Sequence, residues 1–142
     1  MLNLERLKEV VVKAPGKTDC LYALMFGSHA RGDARVYSDL DIAVMFKSSE
    51  DCVGKALEIA FDLEEEIGVR VEVVPLNEAD TILRFEAYSQ GKLLYCVDKG
   101  RYMDDFVNAV DEYLDFKYHF DKFYEKTLRE IESAVSRGKS ED

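Results

Sequence analysis

Leu21–Phe46, LYALMFGSHARGDARVYSDLDIAVMF, holds two apolar runs, Leu21–Phe26 and Ile42–Phe46, on either side of a polar insert. A short continuous apolar run that stops at glycine predicts a fully buried strand. Gly27 lets the backbone turn sharply and approach a ligand closely. Ser28 is a good N-cap, which predicts a short helix over 28–32. The free N–H groups and hydroxyl of such a turn suit a phosphate. At the other edge, Asp39 and Asp41 open a second strand, predicted over Leu40–Phe46. Alternate strand residues share a side, so these carboxylates lie about 6–7 Å apart on one face, while Leu40 turns to the core with Ile42 and Val44. Two like charges that close repel each other. A hard cation such as Mg²⁺ relieves this by taking carboxylate and phosphate oxygens together. Two such ions can clamp the attacking and leaving oxygens of a phosphoryl or nucleotidyl transfer.

Asp-x-Asp alone is also the ordinary solvated start of a strand, and Gly-Ser alone a plain turn. Four identities at fixed spacing are rarer: at usages of roughly 6–8 % each, they coincide about once in 10⁴–10⁵ start positions. The joint pattern therefore favours a site.

The 142 residues suit one domain with a real core. With 47 % hydrophobic and 34 % charged residues, the chain reads as globular and soluble. No apolar window approaches membrane-spanning length. The opening MLNLERLKEV carries charges within its apolar pattern and does not read as a signal peptide. Cys20, Cys52 and Cys96 are scattered and lack metal or disulfide spacing, so they read as reduced thiols of a cytoplasmic protein. The net charge of −10 makes direct nucleic-acid binding a poor expectation, since phosphate contacts need Lys and Arg. It suits a basic protein partner, or simply solubility.

Leu4, Leu7, Val10 and Val11 have helical spacing, predicting a helix over Leu2–Val12. Ala14–Thr18, APGKT, breaks it. Gly16-Lys17-Thr18 lacks the upstream glycine of a P-loop and precedes a strand, so that reading is rejected. A strand is predicted over Asp19–Phe26. Val53, Leu57, Ala60, Phe61, Leu63 and Ile67 predict an amphipathic helix over Val53–Ile67 that ends at Gly68. Val69–Leu76 predicts a third strand, with Val69, Val71 and Val73 on one face and Arg70, Glu72 and Val74 on the other. Glu72 is a charge in a β-branched run, costly unless used or solvated. Pairing beside the second strand would bring it to Asp39 and Asp41. Asn77 is expected to cap a helix over Glu78–Ser89 ended by Gly91, and Lys92–Val97 is expected to be extended.

From Lys99 to Ser136 the pattern at Phe106, Val110, Tyr113, Phe120, Tyr124 and Ile131 is helical, with a seam resembling a coiled coil. It predicts one helix of roughly 55 Å, or a helix broken near Asp115. Its middle is too aromatic for one face on a small sheet, so Tyr113, Phe116, Phe120 and Tyr124 are assigned to partner binding. Covering the sheet or a symmetric copy of the chain is the alternative. His29, a polar loop histidine, is assigned nothing.

The segment GSHARGDARVYSDLD resembles the signature of the DNA polymerase beta-like nucleotidyltransferases, and its ARG and SDLDIAV portions resemble the minimal nucleotidyltransferase (MNT) branch. That branch is commonly the antitoxin of a HEPN-domain ribonuclease toxin. The resemblance covers about residues 20–100. It implies a nucleotidyltransferase fold of class α/β (α+β): a small mixed sheet with helices on one face and a long C-terminal helix. Residues 1–98 would form the domain, 99–136 a helical extension of the same unit, and 137–142 a flexible tail. It implies Mg²⁺ on Asp39, Asp41 and Glu72, the triphosphate of ATP on Gly27 and Ser28, and Arg31 beside it. The third carboxylate, which completes the metal site and helps deprotonate the attacking hydroxyl, is usually aspartate, and here it is Glu72. The implied activity is transfer of AMP to a hydroxyl, a tyrosine of a HEPN toxin, neutralising it. Steric neutralisation by a catalytically weak or inactive fold is the alternative, and transfer to an aminoglycoside-type small molecule a third.

Overall fold

The computed structural model describes residues 4–13, 19–35 and 38–140. The two apolar runs become the central strands of a four-stranded mixed sheet. These are β1 (Cys20–Phe26) and β2 (Leu40–Phe46), which pair antiparallel with Phe26 opposite Asp41. Between them lies a short helix, α2 (Ser28–Arg31), and before β1 lies α1 (Leu4–Lys13). A 16-residue helix, α3 (Cys52–Ile67), ends at Gly68 in the left-handed conformation. It returns the chain to β3 (Val71–Pro75), parallel to β2. Parallel neighbours need such a crossover because a hairpin cannot reverse the chain for them. Helix α4 (Thr81–Gln90), strand β4 (Lys92–Cys96) and helix α5 (Lys99–Ser140) complete the chain. The strand order is β3-β2-β1-β4, with β4 antiparallel to β1.

β1 and, apart from Asp41 near its start, β2 carry apolar residues on both sides, so the sheet presents two dry faces, and each needs a cover. Leu40, Ile42, Val44 and Phe46 of β2 meet α1 and α3 through Leu7, Val11, Ile59 and Leu63. Ala43 and Met45, with Tyr22 and Leu24 of β1, meet α4 and α5 through Ala87, Tyr88, Phe106 and Ala109. The expected α+β class with a small mixed sheet and a long C-terminal helix is what forms. The expectation of helices on one face is corrected, because they cover both. Asp41, in step with Ala43 and Met45, belongs to the α4/α5 face, and Asp39 immediately precedes the strand.

Two further local readings are corrected. Asn77 does not cap α4; Asp80 does, its Oδ1 accepting from the Leu83 N–H at 2.8 Å. Asn77 instead accepts from the Phe46 N–H and donates to the Phe46 carbonyl, both at 2.9 Å, tying the end of β2 to the turn after β3. Both residues are cap formers, and the tertiary position of Phe46 decides between them. In α3, Val53, Leu57 and Phe61 are exposed, while Cys52, Ala56, Ile59, Ala60 and Leu63 make the buried face. The Ala14–Thr18 segment lies outside the described residues. None of the described helices is long and apolar enough to cross a membrane.

Helix α5 runs unbroken for 42 residues, about 63 Å at 1.5 Å per residue. The continuous reading holds over the break: Asp115 sits in regular helix with His119 Nε2 3.5 Å from its carboxylate. The root of α5 is packed: Tyr102 and Phe106 touch Tyr88, and Tyr113 stacks flat on Phe85 with centroids 3.9 Å apart. Beyond it, Leu114, Phe116, Tyr118, Phe120, Phe123 and Tyr124 are all exposed.

Candidate active site

Gly27 ends β1 with φ at +76°, in the left-handed half of backbone space. It, not Ser28, occupies the N-cap position of α2, and the Arg31 N–H closes onto its carbonyl at 3.0 Å. Ser28 is the first residue of the helix. A side chain at Gly27 would run into Asp41: a Cβ there would meet the Asp41 carboxylate closer than real Cβ atoms approach anything. Two independent requirements therefore fix glycine here, the backbone angle and the carboxylate lying against its Cα.

The insert folds back over the same edge. His29 Nε2 lies 3.2 Å from the Ser38 carbonyl oxygen, and the Arg35 N–H donates to Ser38 Oγ at 2.9 Å. These bonds hold the segment leading into Asp39. Asp39 is half-buried, with the Arg70 Nε 4.0 Å from its carboxylate. Arg70 is 83 % exposed, so this pair contributes little.

The Leu40 N–H donates to the Arg70 carbonyl at 2.9 Å and sets β3 beside β2 with Asp41 opposite Glu72. Side chains of paired residues on adjacent strands rise on the same face, on backbones about 4.8 Å apart. Glu72 is exposed on an edge strand, which answers the cost of a charge in that apolar run. Burial, and then the charges of Glu72, Asp39 and Glu86, raise the Asp41 carboxyl above the usual carboxylate range, with His29 opposing.

Two residues here escaped the sequence reading. Glu86 of α4 is a third carboxylate in the field of Asp41; it lies 45 positions away on a helix, and no local pattern marks it. His29 had a signal, its place next to Ser28, but one loop histidine carries no specificity. Arg31, assigned to the phosphate side, reaches α4: its Nη1 donates to Gln90 Oε1 at 3.2 Å and its Nε to Asp33 at 3.3 Å. Of the assigned partner residues, Phe116, Phe120 and Tyr124 stack in an outward row at 5.9 and 6.3 Å between centroids. Tyr113 is engaged within the chain by Phe85.

Among the described residues, no three His, Cys, Asp or Glu side chains converge into a cluster that could hold a metal. Mg²⁺ does not need one, since one or two carboxylates with substrate phosphates complete its shell. Hard oxygen donors in register, and the crowding of like charges around Asp41, fit a divalent cation.

The sequence matches the family model described as polymerase beta, nucleotidyltransferase, over residues 5–100. It is 34 % identical over 86 residues to protein adenylyltransferase MntA of Shewanella oneidensis, covering 61 % of this chain and 58 % of the relative. The matched stretch thus spans little more than half of that protein. Two solved structures share the fold. One is a toxin–antitoxin with AMP-PNP: TM-score 0.71, 22 % identity, 85 % of this chain and 98 % of that chain. The other is the tri-AMPylated HEPN toxin of Shewanella oneidensis in complex with an MNT antitoxin: TM-score 0.68, 20 % identity, 87 % and 98 %.

Proposed function

The chain belongs to the polymerase beta nucleotidyltransferase family, and on that premise we propose that it transfers AMP from Mg²⁺·ATP to a hydroxyl of a HEPN-domain ribonuclease toxin, acting in the cytoplasm as its antitoxin. The observation that carries this reading is the Asp41 carboxylate lying on Gly27 with Glu72 in register beside it. It joins the phosphate-side turn and the acidic strands at one edge of the sheet. The name of the MntA relative and the AMPylated toxin bound to an MNT antitoxin support the choice of reaction and acceptor.

In this reading the backbone of Gly27 and Ser28 receives the triphosphate, and Arg31 lies at the same edge. One or two of the carboxylates Asp39, Asp41 and Glu72, together with the substrate phosphates, would hold Mg²⁺, which would supply charge neutralisation on the attacking and leaving oxygens. The acceptor oxygen forms a bond to the α-phosphorus. The bond from that phosphorus to the bridging oxygen breaks, and pyrophosphate leaves with its electron pair. The hydroxyl proton passes to a carboxylate oxygen of Glu72, which stands exposed at the sheet edge where a protein acceptor can reach it. AMP on a tyrosine adds a bulky anion at the modified surface. Phe116, Phe120 and Tyr124 would anchor the partner.

The test is the intact mass of the HEPN partner after incubation with this protein and Mg²⁺·ATP. A gain of AMP units that disappears with Asp41→Asn is expected. No gain at any enzyme concentration would refute the transfer reaction. The aromatic row on α5, built independently of the carboxylates, favours a second reading: neutralisation by binding alone. A variant with both Asp39→Asn and Asp41→Asn that still neutralises the toxin would establish it.

A further inference from the structure

A cavity of about 230 Å³ opens at the end of the sheet away from the carboxylates, between the start of α4 and the root of α5. Met45 in its floor is four residues along β2 from Asp41, about 13 Å at 3.3 Å per residue. It therefore does not belong to the site described above.

Two guanidiniums line it, and both have donors without good acceptors. The Nε of Arg84 is fully buried and has no hydrogen-bond partner among the described residues. Its Nη1 reaches Glu112 at a long 3.4 Å. Arg101 holds both oxygens of Asp105 with its Nε alone, at 2.9 and 3.0 Å. Its Nη2 faces the thioether of Met45 at 3.7 Å, a weak acceptor. Asp105 in turn accepts from Tyr22 at 2.7 Å, and Tyr22 shares a short bond with Tyr88. The second arginine is thus locked from behind by a buried network. Ser49 and Asn108 add a hydroxyl and an amide to the wall, while Leu76 and Ala109 add apolar surface. Glu112 and Asp105 balance the two positive charges and accept from both guanidiniums, which leaves Arg84 Nε and Arg101 Nη2 without an oxygen acceptor among the described residues.

A buried donor without a partner is costly, and an arriving oxyanion removes that cost while gaining a charge-assisted bond. The volume is below that of pockets for drug-sized ligands. We infer that this cavity is a second binding site, for a small molecule or ion bearing a carboxylate or phosphate. The oxyanion accepts from Arg101 Nη2 and from Arg84, whose enclosed Nε is reached as that side chain turns toward the cavity, and any apolar remainder lies on Met45, Leu76 and Ala109.

The experiment follows the arginine Nε–H resonances of the ¹⁵N-labelled full chain. Inorganic phosphate or succinate is titrated in, with ionic strength held constant by chloride. The Arg84 signal is assigned by its loss in Arg84→Gln. It is expected to shift and saturate. Response to phosphate alone assigns a phosphate site, response to succinate alone a carboxylate site, and response to both a general oxyanion site. In Arg84→Gln, binding followed at the Asn108 side-chain amide should weaken at least about tenfold. The inference is overturned if neither ion moves the Arg84 signal beyond chloride, or if Arg84→Gln binds as tightly as the wild type. Phosphate that moves only the Gly27 and Ser28 amides counts against it as well.

Discussion

Gly27→Ala tests whether the backbone and the Asp41 carboxylate together demand glycine at this edge of the sheet. Three glycines have similar positive φ: Gly27 at 76°, Gly32 at 83° and Gly68 at 80°. Gly27, with ψ of −154°, lies in a region that essentially only glycine adopts, and alanine there costs about 1–3 kcal/mol for the backbone alone. Gly32 and Gly68, with ψ of 12° and 15°, are left-handed, and alanine there costs about 1–2 kcal/mol. Around Gly32 and Gly68 an added Cβ meets nothing within 4 Å, so that cost is the whole effect. At Gly27 the added methyl lands on the Asp41 carboxylate. Asp41 must turn away or the strand end must shift, adding about 1–3 kcal/mol of overpacking strain. Chemical denaturation should therefore rank Gly27→Ala below both controls by at least about 1 kcal/mol. A displacement near 1 Å at a reacting group costs about 10²-fold in rate, so the proposed AMP transfer should fall by at least that much in Gly27→Ala. Gly68→Ala, at the far end of α3, should transfer normally. If Gly27→Ala is no less stable than Gly68→Ala and transfers at the wild-type rate, Asp41 does not rest on Gly27, and the joined site is wrong.

Asp41→Asn should lose transfer yet be more stable than the wild type at neutral pH. A carboxyl whose folded pKa is raised contributes stability that is present below its ordinary range and is lost as pH rises through the raised value. The advantage should therefore shrink as pH falls to about 4, the ordinary carboxyl range, and urea titrations at both pH values check it. Asn77→Ala removes both bonds to Phe46 and leaves its buried main-chain groups unpaired. It should cost about 1–3 kcal/mol in denaturant unfolding. Phe116→Ala with Phe120→Ala should change the stability of the isolated chain by no more than about 0.5 kcal/mol, because both rings are exposed. Calorimetric binding to the proposed HEPN partner should weaken by at least about thirtyfold.

The sequence by itself determined a good deal here. The continuous apolar runs placed β1 and β2 within one residue, because full burial on both faces leaves no polar alternation to misread. Gly68 marked the end of α3, since the chain there needs a left-handed residue. The Gly-Ser and Asp-x-Asp pattern marked the edge of the sheet where the site is proposed, because a two-residue strand period fixes which side the carboxylates occupy. Strand alternation even put Glu72 on the correct face of β3.

Other features depend on what meets what across the fold, and no local pattern contains that. The same unbroken apolar runs imply two covered faces, yet the identity of the covers follows only from the crossover of α3 and the return of α4 and α5. Asn77 and Asp80 are interchangeable as cap formers, and only the position of Phe46 assigns the cap to Asp80. Tyr113 and Phe116 are equivalent in the helical pattern; Phe85 on a neighbouring helix takes one and leaves the other exposed. Glu86 enters the field of Asp41, and Arg84 the cavity at the opposite end, through the placement of a single helix across the sheet. Backbone period and side-chain polarity are encoded residue by residue, whereas partners distant in sequence are chosen by how the covered faces of the sheet close.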